Sequence, residues 1–385
     1  MELHTRVALD LTKSPDGVGG ALMRTATLVW HSIRAHWVIL IAALAFVAAS
    51  QWLLTDVADR KTASISFIVK SMFTTALPMA VLGLLVLRFV QYAVFIKPAS
   101  PVAQLVSDVR AVFNTPRRML NGLPVFIALV LENKAAMELK ANIPAIVPFS
   151  WDQRFMELDR WLHFGADPWR ILQPVLGFPP VTFLISVSYN AWLLLLFWLW
   201  AWFAFTEKYT ELRTRFFLAF ILTWMIGGGI MAAAFSSAGP VYYELLGLGS
   251  QPYAGLLAYL NTANEQLPIW ALDVQRMLWD QYSANAPHFV GISAFPSMHN
   301  AMVALFALTF LQLNRRIGYI MVAYAFIILI GSVHLGWHYA VDGYAGIALA
   351  GVCWWIAGKI AAWNQRQPWV RQHEANLEAL RPLDG

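Results

Sequence analysis

The stretch FPSMHNAMVALFALTFLQLNRRIGYIMVAYAFIILIGSVHLGWHYAVDGYAGIALAGVCWWIAGK, residues 295–359, decides the fold. Three apolar runs, about 295–313, 317–337 and 339–358, follow one another with only short polar breaks. Each approaches the roughly 20 apolar residues a helix needs to cross a bilayer. Further out, about 37–54, 71–96, 180–205 and 216–235 have the same character. An eighth run, about 119–133, is short: Gly122 and Pro124 weaken it and Glu132 closes it. The expected fold is all-α, a polytopic membrane helix bundle of about 7–8 transmembrane helices.

Composition agrees. The chain has 385 residues, 59% hydrophobic and 13% charged, against roughly a quarter charged in soluble domains. The net charge of +5 does not point to nucleic acid, because Lys and Arg cluster beside apolar segments, as membrane topology requires. Cys353 is the single cysteine, so no internal disulfide forms and cysteine usage leaves the redox compartment open. A polar and basic leader of 36 residues precedes Trp37, too long for a cleaved signal peptide, so 37–54 reads as a retained helix.

Charge asymmetry decides the eighth run. With a cytoplasmic N-terminus and eight crossings, seventeen Lys and Arg fall inside, among them Arg6, Lys13, Arg213, Arg315, Arg316 and Arg381, and eight fall outside. Omitting 119–133 would put Arg315–Arg316 and the Lys208–Arg215 cluster outside, against the positive-inside rule. The eight-span reading also sets His299 and His338 on one non-cytoplasmic face. It places the protein in an inner or plasma membrane, with its site periplasmic or extracytoplasmic. Two outer segments, 149–177 and 254–286, are amphipathic and aromatic-rich, suited to the headgroup layer or to walling a lateral entrance for lipid. The organisation reads as N-terminal membrane helices and leader (1–148), an interfacial segment (149–178), a catalytic membrane domain (179–360) and a cytoplasmic tail (361–385).

The chemistry lies at helix mouths. His338 and Asp342 are four apart, hence on one helical face, and His299 opens the apolar run after Pro296 and Ser297. Ionisable groups there are costly and read as functional. Phosphoryl transfer without a metal needs a nucleophile, an acid for the leaving oxygen and fixed positive charge. His338 suits the nucleophile and Asp342 its orienting carboxylate. His299 suits the general acid. Pro296 fits a first helical turn, so the amides of Ser297, Met298 and His299 form an anion site to which Ser297 Oγ adds a hydrogen bond. His334, one turn before His338, and Lys140 are the expected phosphate cations, with Arg154, Arg160 and Arg276 also on the outer side. A metal or haem held by His334 and His338, with Asp342 as a further metal ligand, stays open as an alternative. His163 and His288 read as interfacial.

These residues resemble the type 2 phosphatidic acid phosphatase (PAP2) superfamily, whose core carries Pro-Ser-x-His and a later His-x-x-x-Asp. Residues 296–299 and 338–342 match both, and Gly336 and Gly346 fit the flanking spacing. Three departures choose a branch. Met298 stands where phosphatases usually have glycine, Gly331–Ser332 stands where they have Ser-Arg, and Lys140 to Val147–Pro148 only echoes Lys-x₆-Arg-Pro. Phe295-Pro-Ser-x-His, His338-Tyr-x-x-Asp and Ala238-Gly-Pro-Val-Tyr242 are similar to the aureobasidin-resistance branch, the inositol phosphorylceramide synthases and their bacterial relatives. The resemblance implies a PAP2-like helical core and a membrane enzyme, a lipid phosphotransferase or phosphatase working through a phosphohistidine without a cofactor. Its partners would be a phospholipid donor and a lipid alcohol or water. A lipid-phosphate phosphatase of the phosphatidate or polyprenyl phosphate type is the alternative, and a non-catalytic lipid transporter a more remote one.

Overall fold

The computed structural model describes residues 18–113, 115–249, 251–284 and 291–380, all helix, turn or loop. Arg6, Lys13, His288 and Arg381 lie outside the described residues. In chain order the helices are α1 (Val18–Ala35), α2 (Trp37–Leu53), α3 (Ile65–Ile96), α4 (Pro101–Phe113) and α5 (Pro116–Ile146). Then come α6 (Asp152–Leu162), α7 (Pro168–Leu176), α8 (Pro179–Ala204), α9 (Glu211–Ala234), α10 (Ala254–Gln266) and α11 (Trp270–Ser283). The chain closes with α12 (Met298–Leu313), α13 (Arg315–His334), α14 (Ala340–Gln365) and α15 (Pro368–Ala379).

Six of these, α3, α5, α8, α9, α13 and α14, are long and apolar enough to cross a membrane; α1 and α2 form a pair bent by 65°. α12 is apolar but has only 16 residues. The bundle is therefore polytopic and helical, as its apolar runs predict.

The marginal run at 119–133 differs from expectation: it lies inside α5, a helix of 31 residues that runs through Pro124, Glu132 and Pro144. Proline removes the N–H that would bond the carbonyl four residues back. Here the Leu120 carbonyl accepts instead from Ser32 Oγ of α1. Gly291 lies against the Lys140 carbonyl that Pro144 leaves open, where a Cβ would come within 2.0 Å. Glu138 accepts from the Ala63 N–H (2.8 Å) and Gln51 Nε2 (3.0 Å), and the Asn142 amide binds the Lys61 backbone, so a carboxylate and an amide of α5 pin the α2–α3 loop.

The end of the bundle away from His338 is locked by Arg213, fully buried at the start of α9. It donates to the Phe203, Ala204 and Asn121 carbonyls and to His36 Nε2. A cation suits the exposed carbonyls at the C-terminus of α8. Around it His373 reaches Asn121, and Asn364 reaches Ala35 and Tyr209, tying α15 and α14 to α1 and α5.

Candidate active site

Two turns from distant parts of the sequence meet at the other end. Ser297 is the N-cap of α12, and its Oγ accepts from the Asn300 N–H (3.4 Å) and Nδ2 (3.0 Å). The Ser297 N–H donates to the Asp342 carbonyl at 2.9 Å. Gly346 permits this approach: a Cβ there would sit 2.4 Å from the Ser297 oxygen. The second turn closes α13: Trp337 and His338 both donate their N–H to the Ser332 carbonyl, and Gly336, at φ +73°, makes the reversal.

The result is a compact His–His–Asp group. His338 Nδ1 lies 3.3 Å from Asp342 Oδ2, which also accepts the Tyr339 N–H at 3.0 Å. The His299 and His338 rings meet edge to face, centroids 5.7 Å apart. His338 is 5% exposed and Asp342 fully buried. Burial holds the imidazole of His338 down to about 3, reinforced by the Lys140 charge and opposed by the Ala294 carbonyl. The ring is thus neutral at ordinary pH, and the tautomer with its proton on Nδ1, toward Asp342, is the one that leaves the Nε2 lone pair for attack. His299 is held by rings: it stacks on Tyr189 (4.7 Å) and meets the edge of Trp192 (4.9 Å), both on α8.

The expected cations separate. Lys140, half-buried, lies in electrostatic reach of both His299 and His338, and makes no ion pair among the described residues. His334 is fully buried but turned aside: its Nε2 pairs with Thr182 Oγ1 at 2.9 Å and its ring lies beside Tyr259. Met298 packs its sulfur toward Gly227. Arg160 is engaged by Asp167 at 2.6 Å, Arg276 faces Asp273, and Arg154 covers the Trp151 ring. Among the described residues no group of three His, Cys, Asp or Glu is placed to hold a metal ion.

Two carboxylates that the sequence offers only as part of the charged face of the interfacial segment complete the site. α6 presents Asp152, Phe155, Met156 and Asp159 as one buried face. Asp152 accepts from Ser237 Oγ, the Ala238 and Gly239 N–H groups and the Tyr339 hydroxyl, all at 2.8–3.0 Å. Asp159 accepts the N–H groups of Ala340 (2.7 Å) and Val341 (2.9 Å), the first turn of α14. Burial raises both carboxyls, that of Asp159 to about 7 against the pull of the two amides. α6 is therefore a clamp over the turn that carries His338 and Asp342, beyond the interfacial packing its amphipathicity suggests. The spacing Asp152–Phe155–Met156–Asp159, i, i+3, i+4, i+7, was the available signal. Asn300, which joins Ser297 to Ser332 Oγ (3.3 Å), gave a weaker one as a polar residue inside an apolar run. Ser332 occupies the position at which the phosphatases carry arginine.

A family model described as the PAP2 superfamily matches residues 153–356. The match begins within α6, one residue after Asp152, and ends within α14, so it takes in Asp159 and both histidine turns. No curated protein and no solved structure matches the chain.

Proposed function

This chain belongs to the PAP2 superfamily, and from that premise we propose that it is a lipid phosphotransferase, similar to the inositol phosphorylceramide synthases, working through a phosphohistidine. Membership supports a lipid phosphatase or phosphotransferase type of activity in an integral membrane protein. The observation that carries the finer reading is the pairing of a neutral, carboxylate-bound His338 with His299 across 5.7 Å.

His338 Nε2 attacks phosphorus, and the bond from phosphorus to the leaving oxygen breaks. Asp342 stabilises the imidazolium that forms. His299 gives its proton to the departing alkoxide, then takes one from the acceptor hydroxyl in the second half-reaction. The substrate's negative charge beside His299 favours the protonated ring it needs. Lys140, without an ion pair among the described residues, offers a cation for the phosphoryl oxygens, and Ser297 Oγ keeps its own proton to donate.

Burial favours transfer over hydrolysis. A site lined by Tyr189, Trp192 and Trp337, with Asp342 sealed from solvent, excludes the water that would compete with a lipid alcohol. An apolar groove of ≈ 140 Å³ beside α14, lined by Ile171, Leu172, Phe326, Val333, Ala340 and Tyr344, suits an acyl chain. The charge distribution supports an N-terminus in the cytoplasm and a site on the extracytoplasmic face.

The test supplies a labelled phospholipid donor with and without a ceramide-like lipid alcohol. Transfer predicts label in a new lipid only when the alcohol is present. Release of free phosphate at the same rate in both arms would leave a phosphatase.

A further inference from the structure

A transferring phosphoryl group carries charge on three equatorial oxygens and needs several donors around it. With Ser332 at the arginine position and His334 committed to Thr182, Lys140 and the Ser297 hydroxyl are a thin supply. The α8 helix offers another group. Tyr189 is 3% exposed, and its ring lies against His299 on one side and parallel to Trp337, at 6.5 Å and 9°. Its hydroxyl has no hydrogen-bond partner among the described residues. Buried hydroxyls are nearly always partnered, and phenylalanine would fill the same space without an orphaned O–H. The indole N–H of Trp337, next to His338 in the chain, is likewise without a partner among the described residues. Two orphaned donors therefore flank the two histidines, and Asp342 lies in electrostatic reach of the phenol.

We propose that the Tyr189 hydroxyl is a substrate-binding group that donates a hydrogen bond to a phosphoryl oxygen, while its ring holds His299 against His338. The assignment rests on the phosphotransfer reading above. It gives the hydroxyl an acceptor, which no described residue supplies. α8 thereby joins α12 and α14 as a contributor to the reaction centre, through a residue outside both histidine motifs.

The experiment compares full-length wild type, Tyr189→Phe, Tyr189→Leu and His338→Ala in lipid nanodiscs. It measures turnover of a labelled phospholipid, inhibition by orthovanadate as a mimic of the five-coordinate phosphoryl group, and the thermal midpoint. Loss of a hydrogen bond to a charged group predicts about a 10–100-fold fall in turnover for Tyr189→Phe, with vanadate inhibition weakened by a similar factor. The thermal midpoint should not fall, because no protein partner is lost. Tyr189→Leu should fall further, having lost the ring beneath His299. Turnover and vanadate inhibition within twofold of wild type for Tyr189→Phe would overturn the assignment. So would a lowered midpoint with unchanged turnover per folded molecule, the mark of a structural water bridge. His338→Ala separates the two levels: if it stays active the phosphoenzyme reading fails, whereas an inactive His338→Ala beside a normal Tyr189→Phe sinks the tyrosine alone.

Discussion

Gly346 lies in the second turn of α14, where its bare Cα faces the Ser297 carbonyl. Adding one methyl group tests whether the register between the two histidine turns matters. The Cβ of Gly346→Ala would lie 2.4 Å from the Ser297 oxygen, while ordinary contact begins at 3.4 Å, so the turns must part by about 1 Å. The same shift lengthens the 2.9 Å bond from the Ser297 N–H to the Asp342 carbonyl. A misplacement of about 1 Å between reacting groups costs on the order of 10²-fold in rate. Gly351, one and a half turns further along α14, is the control, since nothing lies within 4 Å of its added Cβ. Both substitutions gain roughly 1 kcal/mol of helix propensity, so propensity cancels in the comparison. Turnover of labelled phospholipid at saturation should fall about 100-fold in Gly346→Ala and stay at the wild-type level in Gly351→Ala. Equal turnover in the two variants would refute the claim that the spacing of these turns sets the chemistry.

His338→Ala and His299→Ala should each abolish a chelator-resistant activity with the protein still membrane-inserted; near-full activity in both would end the mechanism. Asp342→Asn should lose roughly 10⁴-fold in turnover by holding the wrong imidazole tautomer, and a near-normal rate would remove the orienting role. Asp159, raised from 3.8 to about 7, holds a proton in the folded protein that the unfolded chain has released, so its stabilising contribution, about 4 kcal/mol, is full below pH 3.8 and lost as pH rises through about 7. The thermal midpoint of the wild type should therefore fall across that window relative to Asp159→Asn, and parallel pH profiles would contradict it. Arg213→Met should cost about 3 kcal/mol or more by stranding buried carbonyls, read as a lower midpoint with turnover per folded molecule unchanged.

The spanning helices were legible because lipid-facing and core-facing residues alike must be apolar in a bilayer, and run length alone reports them. α5 was read short because Pro124 and Glu132 look like breakers. Pro124 frees a carbonyl that Ser32, far off in sequence, takes, and Glu132 is buried within the helix, accepting from Asn133 Nδ2. His299, His338 and Asp342 were visible through motif spacing, and the turns do bring them together. His334 shows the limit of helical periodicity: one turn from His338 in sequence, it lies at the end of α13, and the reversal at Gly336 sends the two rings to different neighbours. Asp152 and Asp159 read only as an interfacial charged face, because such a face on an amphipathic helix looks the same whether it meets water or backbone amides.

The shortness of α12 has a consequence for what can react. At 16 residues it covers only about 24 Å, less than the hydrocarbon thickness, and its first turn stacks on Tyr189, ten residues into α8 and so about 15 Å along that helix. The His299 ring therefore lies well inside the span of α8 and not at its first turn. On the proposed transfer reaction, a phospholipid would have to bring its phosphate to that depth, and an acceptor its alcohol, tethered by a hydrocarbon tail. Depth would then act as a gauge, favouring hydroxyls carried on lipids over equally reactive ones dissolved in water.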